Sequence, residues 1–84
     1  MPRYFFHLED SVGGLDGEGV ELDDLEAAKH AAVLLIAGIL HDHPAQVWAS
    51  GGYGLTCADE RGLALFSLAI VANLAPAARV QAAS

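Results

Sequence analysis

Asp23-Asp24-Leu25-Glu26-Ala27-Ala28-Lys29-His30-Ala31-Ala32-Val33-Leu34-Leu35-Ile36-Ala37-Gly38-Ile39-Leu40 decides how this chain folds. It opens on carboxylates and runs into a stretch, Ala31 to Leu40, without a charge. An aspartate at a helix N-cap accepts a hydrogen bond from an otherwise unpaired backbone N–H. A glutamate three residues on can reciprocate. With Asp23 as cap and Glu26 as its mate, the spacing predicts a helix from Asp24 to about His41. The acids suit the positive end of the helix dipole and His41 suits the negative end. Pro44 limits the helix, because the residue before a proline avoids the α region.

Leu25, Ala28, Ala32, Leu35, Ile36 and Ile39 form one stripe at helical spacing. Val33, Leu34, Ala37 and Leu40 are apolar too and lie largely off it. A surface helix is polar on that side. The helix therefore carries more apolar surface than its own sheet covers, and a second copy or a partner is expected against it. Gly38 costs about 1 kcal/mol relative to alanine inside a helix. It also leaves room for another backbone to approach.

Upstream, Arg3 to Glu9 reads as a strand, since Tyr4, Phe5 and Phe6 have high β-propensity. Alternation sends Tyr4, Phe6 and Leu8 to one face and Phe5, His7 and Glu9 to the other. The first set is the more apolar and is expected to face the core. Asp10 to Gly19 is glycine-rich and reads as a loop. Val20-Glu21-Leu22 is a candidate short strand pairing back onto the first. Downstream, residues 43–52 read as a connection in which Val47-Trp48 is a candidate early strand start. Tyr53 to Ala58 is a strand, Asp59-Glu60-Arg61-Gly62 a hairpin turn, and Leu63 to about Ile70 the returning strand. Phe66, Leu68 and Ile70 share one face of it; Leu63, Leu65 and Ser67 share the other. Residues 73–84 read as a tail, where Pro76 is placed to open a helix too short to hold alone.

This order predicts one two-layer α+β domain over residues 1–72, with a single helix on a three- to four-stranded antiparallel sheet. Eighty-four residues leave no room for a second core. A domain this small is marginal alone, and oligomerisation is a common remedy. The composition is 54% hydrophobic, but alanines make up much of it and bury little area each.

Net charge is −7, with four Lys/Arg. Nucleic acid is a poor fit, because binding a polyanion needs basic side chains to displace counterions. Anionic membranes are disfavoured on the same ground. Basic proteins and metal cations suit the charge; an acidic surface also simply keeps a small protein soluble. Cys57 is the only cysteine, so no intrachain disulfide and no multi-cysteine zinc site is expected, and a reducing cytoplasm fits. The first residues lack the apolar core of a secretion signal. The run Ala31–Leu40 would span about 15 Å as a helix, half of a bilayer's hydrocarbon.

Candidate chemistry is sparse. Asp16, Glu18, Glu21, Asp23 and Asp24 could gather oxygens around a hard cation. Counted from Asp16, however, Val20 and Glu21 stand where a calcium loop needs an acid and a glycine. A solvated turn with a cap is the plainer reading. His41-Asp42-His43 could serve zinc or nickel if a third ligand arrived; the plainer reading is an exposed helix end. Cys57 could act as a nucleophile if His7 lay across the sheet from it; a lone strand cysteine is more often a small buried residue. Gly13-Gly14 and Gly51-Gly52 lack the Lys-Ser/Thr of a phosphate loop. Trp48 and Tyr53 flank a glycine-rich link, where aromatics can anchor a partner; the favoured reading is lids on one edge of a small core. No catalytic residue and no cofactor is expected.

Pro2-Arg3-Tyr4-Phe5-Phe6-His7, Glu18-Gly19-Val20-Glu21-Leu22-Asp23-Asp24-Leu25-Glu26-Ala27-Ala28 and Asp59-Glu60-Arg61-Gly62 resemble a family of short bacterial proteins of unknown function. The likeness runs from Pro2 to about Ile70. It implies the same element order and a bacterial source, and it brings no activity with it. The helix start Asp23 to Ala28 also resembles, more weakly, small antitoxin-like domains that pair a short sheet with an Ala-rich helix. The expectation is a non-enzymatic cytoplasmic domain that self-associates as a homodimer through Val33, Leu34, Ala37 and Leu40, or through Phe5 and Leu65 on the outer sheet face. The alternatives are a regulator or adaptor binding a basic protein, and a metal-binding protein using His41 and His43.

Overall fold

The structure, a computed structural model, describes residues 1–8 and 17–78. Strand β1 (Arg3–Leu8), the short β2 (Val20–Glu21), helix α1 (Leu25–Asp42), helix α2 (Pro44–Ser50), β3 (Gly52–Ala58) and β4 (Ala64–Val71) follow in that order. The strands form one antiparallel sheet in the order β2-β1-β3-β4, and α1 and α2 pack over one face. The fold is α+β, in two layers.

β1 lies beside β3, with Phe6 opposite Cys57 and Leu8 opposite Leu55. Tyr4 is buried, and Phe6 and Leu8 pack against the core as alternation requires. Val20 and Glu21 pair back onto β1, and the Arg3 guanidinium fastens that corner. Its Nη1 donates to the Glu18 carbonyl at 2.6 Å and its Nη2 to Glu21 Oε1 at 3.0 Å. The β3–β4 hairpin turns at Asp59–Gly62. Asp59 Oδ1 accepts from the Arg61 and Leu63 N–H groups at 2.8 and 3.0 Å, and Gly62 takes φ +83° to close the turn.

The N-cap of α1 is Asp24, not Asp23. Asp24 has extended backbone, and its Oδ1 accepts from the Ala27 N–H at 2.8 Å. Glu26 then lies too early to complete a capping box and instead meets Lys29 Nζ at 3.0 Å. Ala28, Ala32 and Ile36 are the buried residues of α1. Two alanines on that line let the helix settle close to the sheet. Leu25 and Leu35, expected in the stripe, remain exposed, whereas Leu40, expected off it, packs on the cluster of Ala32, Ile36, Val47, Tyr53 and Leu55.

Residues 44–50 are a helix rather than a connection with an early strand. Pro44 sits in its first turn, where a missing N–H costs nothing. Gly51 ends it at φ 84°, its N–H donating to the Val47 carbonyl at 3.0 Å. Val47 faces the core and Trp48 faces away, 62% exposed, so Trp48 is no lid. Tyr53 is one: it is buried, and its hydroxyl donates to Gln46 Oε1 at 2.8 Å, tying β3 to α2.

Candidate interaction surface

The residues able to do chemistry are kept apart. Cys57 is fully buried, and burial pushes its thiol up from the ordinary value of 9.0. The register sets Cys57 opposite Phe6 and His7 opposite Thr56, so imidazole and thiol point to different faces of the sheet. That removes the pairing a cysteine nucleophile would need. His41 Nδ1 lies 3.2 Å from Asp42 Oδ1, both exposed at the end of α1. Among the described residues no three His, Cys, Asp or Glu side chains gather as a metal set. Of the acidic candidates, Glu21 holds Arg3 and Asp24 caps α1, while Asp16 lies outside the described residues. A depression of about 410 Å³ opens between Pro2–Tyr4, the Asp59–Arg61 turn and Leu65. The Arg3 guanidinium on its wall is already committed to Glu18 and Glu21, as described for the β2 corner.

Apolar surface is the more prominent feature. On α1, Val33 is 55% and Leu34 59% exposed, and Ala37 is exposed one turn on. A groove of about 210 Å³ runs between α1 and β4, lined by Lys29, Ala32 and Val33 on one wall and Phe66, Ser67 and Leu68 on the other. The Val33 flank of the helix therefore borders β4. β4 is an edge strand, and from Ala64 to Val71 it carries no charge and no proline. On the sheet face away from the helices, Phe5 is half-buried and Leu65 exposed. Of the residues expected to meet a partner, Leu40 packs on the core and the exposed ones do not share one surface. Val33 and Ala37 adjoin the β4 edge, whereas Phe5 and Leu65 belong to the open face.

A family model described as a domain of unknown function (DUF6894) matches residues 3–72. The chain belongs to that family. The DUF6894 match begins on the first residue of β1 and ends one residue past β4, so it encloses β1 to β4, α1 and α2. No curated protein and no solved structure matches the chain. Among the described residues of this DUF6894 domain, no helix is long and apolar enough to cross a membrane.

Sequence reasoning found the apolar flank of the helix and missed the strand edge beside it. The signal was present in Ala64-Leu65-Phe66-Ser67-Leu68-Ala69-Ile70-Val71, a strand without a gatekeeping charge. Its meaning depends on sheet order, which alternation along one strand does not reveal.

Proposed function

We propose that this DUF6894 domain is a non-enzymatic interaction module that works as a homodimer. The observation that carries the reading is the uncharged stretch Ala31–Leu40, whose Val33 and Leu34 remain more than half exposed after the chain has folded. Neighbouring large apolar side chains left this exposed favour a contact with another molecule. The register that sends Cys57 and His7 to different faces of the sheet counts against a cysteine nucleophile paired with that histidine. The resemblance to short bacterial proteins and the single thiol suit a bacterial cytoplasm. Light scattering on the untagged chain tests the reading. The expected mass is twice 8.7 kDa at tens of micromolar; a monomer at high micromolar concentration overturns it.

A second reading rests on the carboxylates. Glu18, Glu21, Asp23, Asp24 and Glu26 are exposed around β2 and the start of α1, at the sheet edge opposite β4. That surface suits a basic protein partner, as in a heteromeric regulator or adaptor. Affinity capture from the native cell separates the two readings: a stoichiometric basic partner in place of the second copy favours this one.

A further inference from the structure

We infer that the second copy binds along β4, with the two β4 strands paired antiparallel across a two-fold axis. Two four-stranded sheets then become one continuous sheet. The inference rests on the self-association proposed above and says where it takes place.

Hydrogen bonding comes first. The Ala72 N–H donates to the Gly51 carbonyl at 2.9 Å, and Gly52 is opposite Val71. In an antiparallel ladder, residues that bond to the neighbour alternate with residues that do not. Following the register, Phe66, Leu68 and Ile70 turn their N–H and C=O groups towards β3. Ser67, Ala69 and Val71 turn theirs outward, and among the described residues no strand lies beyond β4. The outward groups are spaced as another antiparallel strand takes them.

Charge selects the occupant. Edge strands are ordinarily protected by charge, proline or brevity. The far edge is protected: β2 is two residues long, and its Glu21 is paired with Arg3. β4 has eight residues, no charge and no proline, and its one register shift, with Leu65 the extra residue opposite Cys57 and Ala58, leaves Phe66 to Val71 regular. An acidic or basic partner finds no complement on it. A second β4 does, because a two-fold axis sets this neutral strand against itself and brings no like charges together, although each copy carries −7 overall. A short, charged edge on the far side stops growth at two copies.

Geometry agrees. The two-fold axis that makes two edge strands antiparallel stands normal to the sheet, so both α1 helices stay on one face. α1 packs over β3. Three strand spacings then separate the helix axes by about 14 Å, and a helix with its side chains is about 10–12 Å across. Val33 and Ala37 face their counterparts over a floor of half-buried Phe66 and Leu68. Lys29, on the same flank, brings its own counter-charge in Glu26. The groove beside β4 is one half of a trough that the second copy completes.

Amide hydrogen exchange followed by NMR, with light scattering on the same samples, tests the inference. The expected result is a dimer in which the Ser67, Ala69 and Val71 amides exchange slowly, with protection that disappears on dilution to monomer. A dimer in which those amides exchange fast overturns the edge pairing and leaves self-association standing. A chain that is monomeric throughout overturns both. Slow exchange that persists in a monomer also overturns the inference, since the chain's own remaining segments then cover the edge. The substitution Ala69→Pro removes an outward N–H and no bond to β3. It is expected to give a monomer with an unchanged circular dichroism spectrum; a folded Ala69→Pro dimer counts against the pairing. If Ala69→Pro does not fold, the exchange pattern of the native chain decides.

Discussion

Gly52 and Gly38 both lie inside regular elements, and a methyl group means opposite things to them. Gly52 has φ +139°, and a Cβ there would overlap the Ile70 carbonyl oxygen across the ladder. Backbone on backbone cannot give way, so Gly52→Ala is expected to lower stability by about 1–3 kcal/mol or more. Gly38 has nothing within 4 Å of its would-be Cβ. Gly38→Ala is expected to raise stability by about 0.5–1 kcal/mol, through helix propensity. Urea melts of the two variants read both signs, and a loss at Gly38 would reveal another backbone lying against it. Cys57 supplies a pH dependence. Burial holds its folded-state thiol above the ordinary 9.0, so the unfolded chain ionises first. Its contribution is complete below pH 9 and is lost as pH rises through the higher folded value. Comparing native and Cys57→Ala melts at about pH 7 and about pH 10, the native protein is expected to lose more stability on the alkaline side. Equal losses in both would show that the thiol is not the group responsible.

Helix α1 and helix α2 differ in how much of them was legible. The existence of α1, its length to within a residue, and the hairpin at Asp59–Gly62 followed from spacing and turn chemistry alone. The cap did not, because Asp23 and Asp24 are equally good cap residues and only the backbone chooses between them. Asp24→Ala is expected to cost about 1 kcal/mol, and Asp23→Ala less than about 0.5 kcal/mol. Equal losses in thermal melts of the two variants would show that the aspartates share the cap. α2 was hidden by its own punctuation. Pro44 reads as a stop for α1 and is equally a first-turn residue for a new helix, while the high β-propensity of Val47 and Trp48 pointed to a strand. Gly51, with φ 84°, was the contrary signal: a helix C-terminus ordinarily ends on such a glycine. The candidate surface was half legible for a related reason. Periodicity along α1 marks Val33 and Ala37 as surplus. Only the order β2-β1-β3-β4 makes β4 the bare edge beside them.

For the whole molecule, charge and apolar surface pull association in opposite directions. Each copy carries −7, so two copies repel each other through solvent on approach. The contact proposed along β4 and the Val33 flank has no charge on the strand, and Lys29 already has Glu26 beside it. Salt therefore has repulsion to screen and little attraction to weaken. The Debye length falls from about 30 Å at 0.01 M to about 8 Å at 0.15 M, far below the seven strand spacings, about 34 Å, that separate the β2 edges of the two paired sheets. The dimer is expected to tighten as ionic strength rises over that range, measured by sedimentation equilibrium. Thermal midpoints are expected to climb with protein concentration, because association adds to the stability of the folded state. A basic partner on the carboxylates around β2 predicts the reverse sign, since its attraction is what salt would screen. A homodimer that loosens with added salt would be held by attraction between unlike charges, which the uncharged β4 strand does not offer, and would overturn the contact along it.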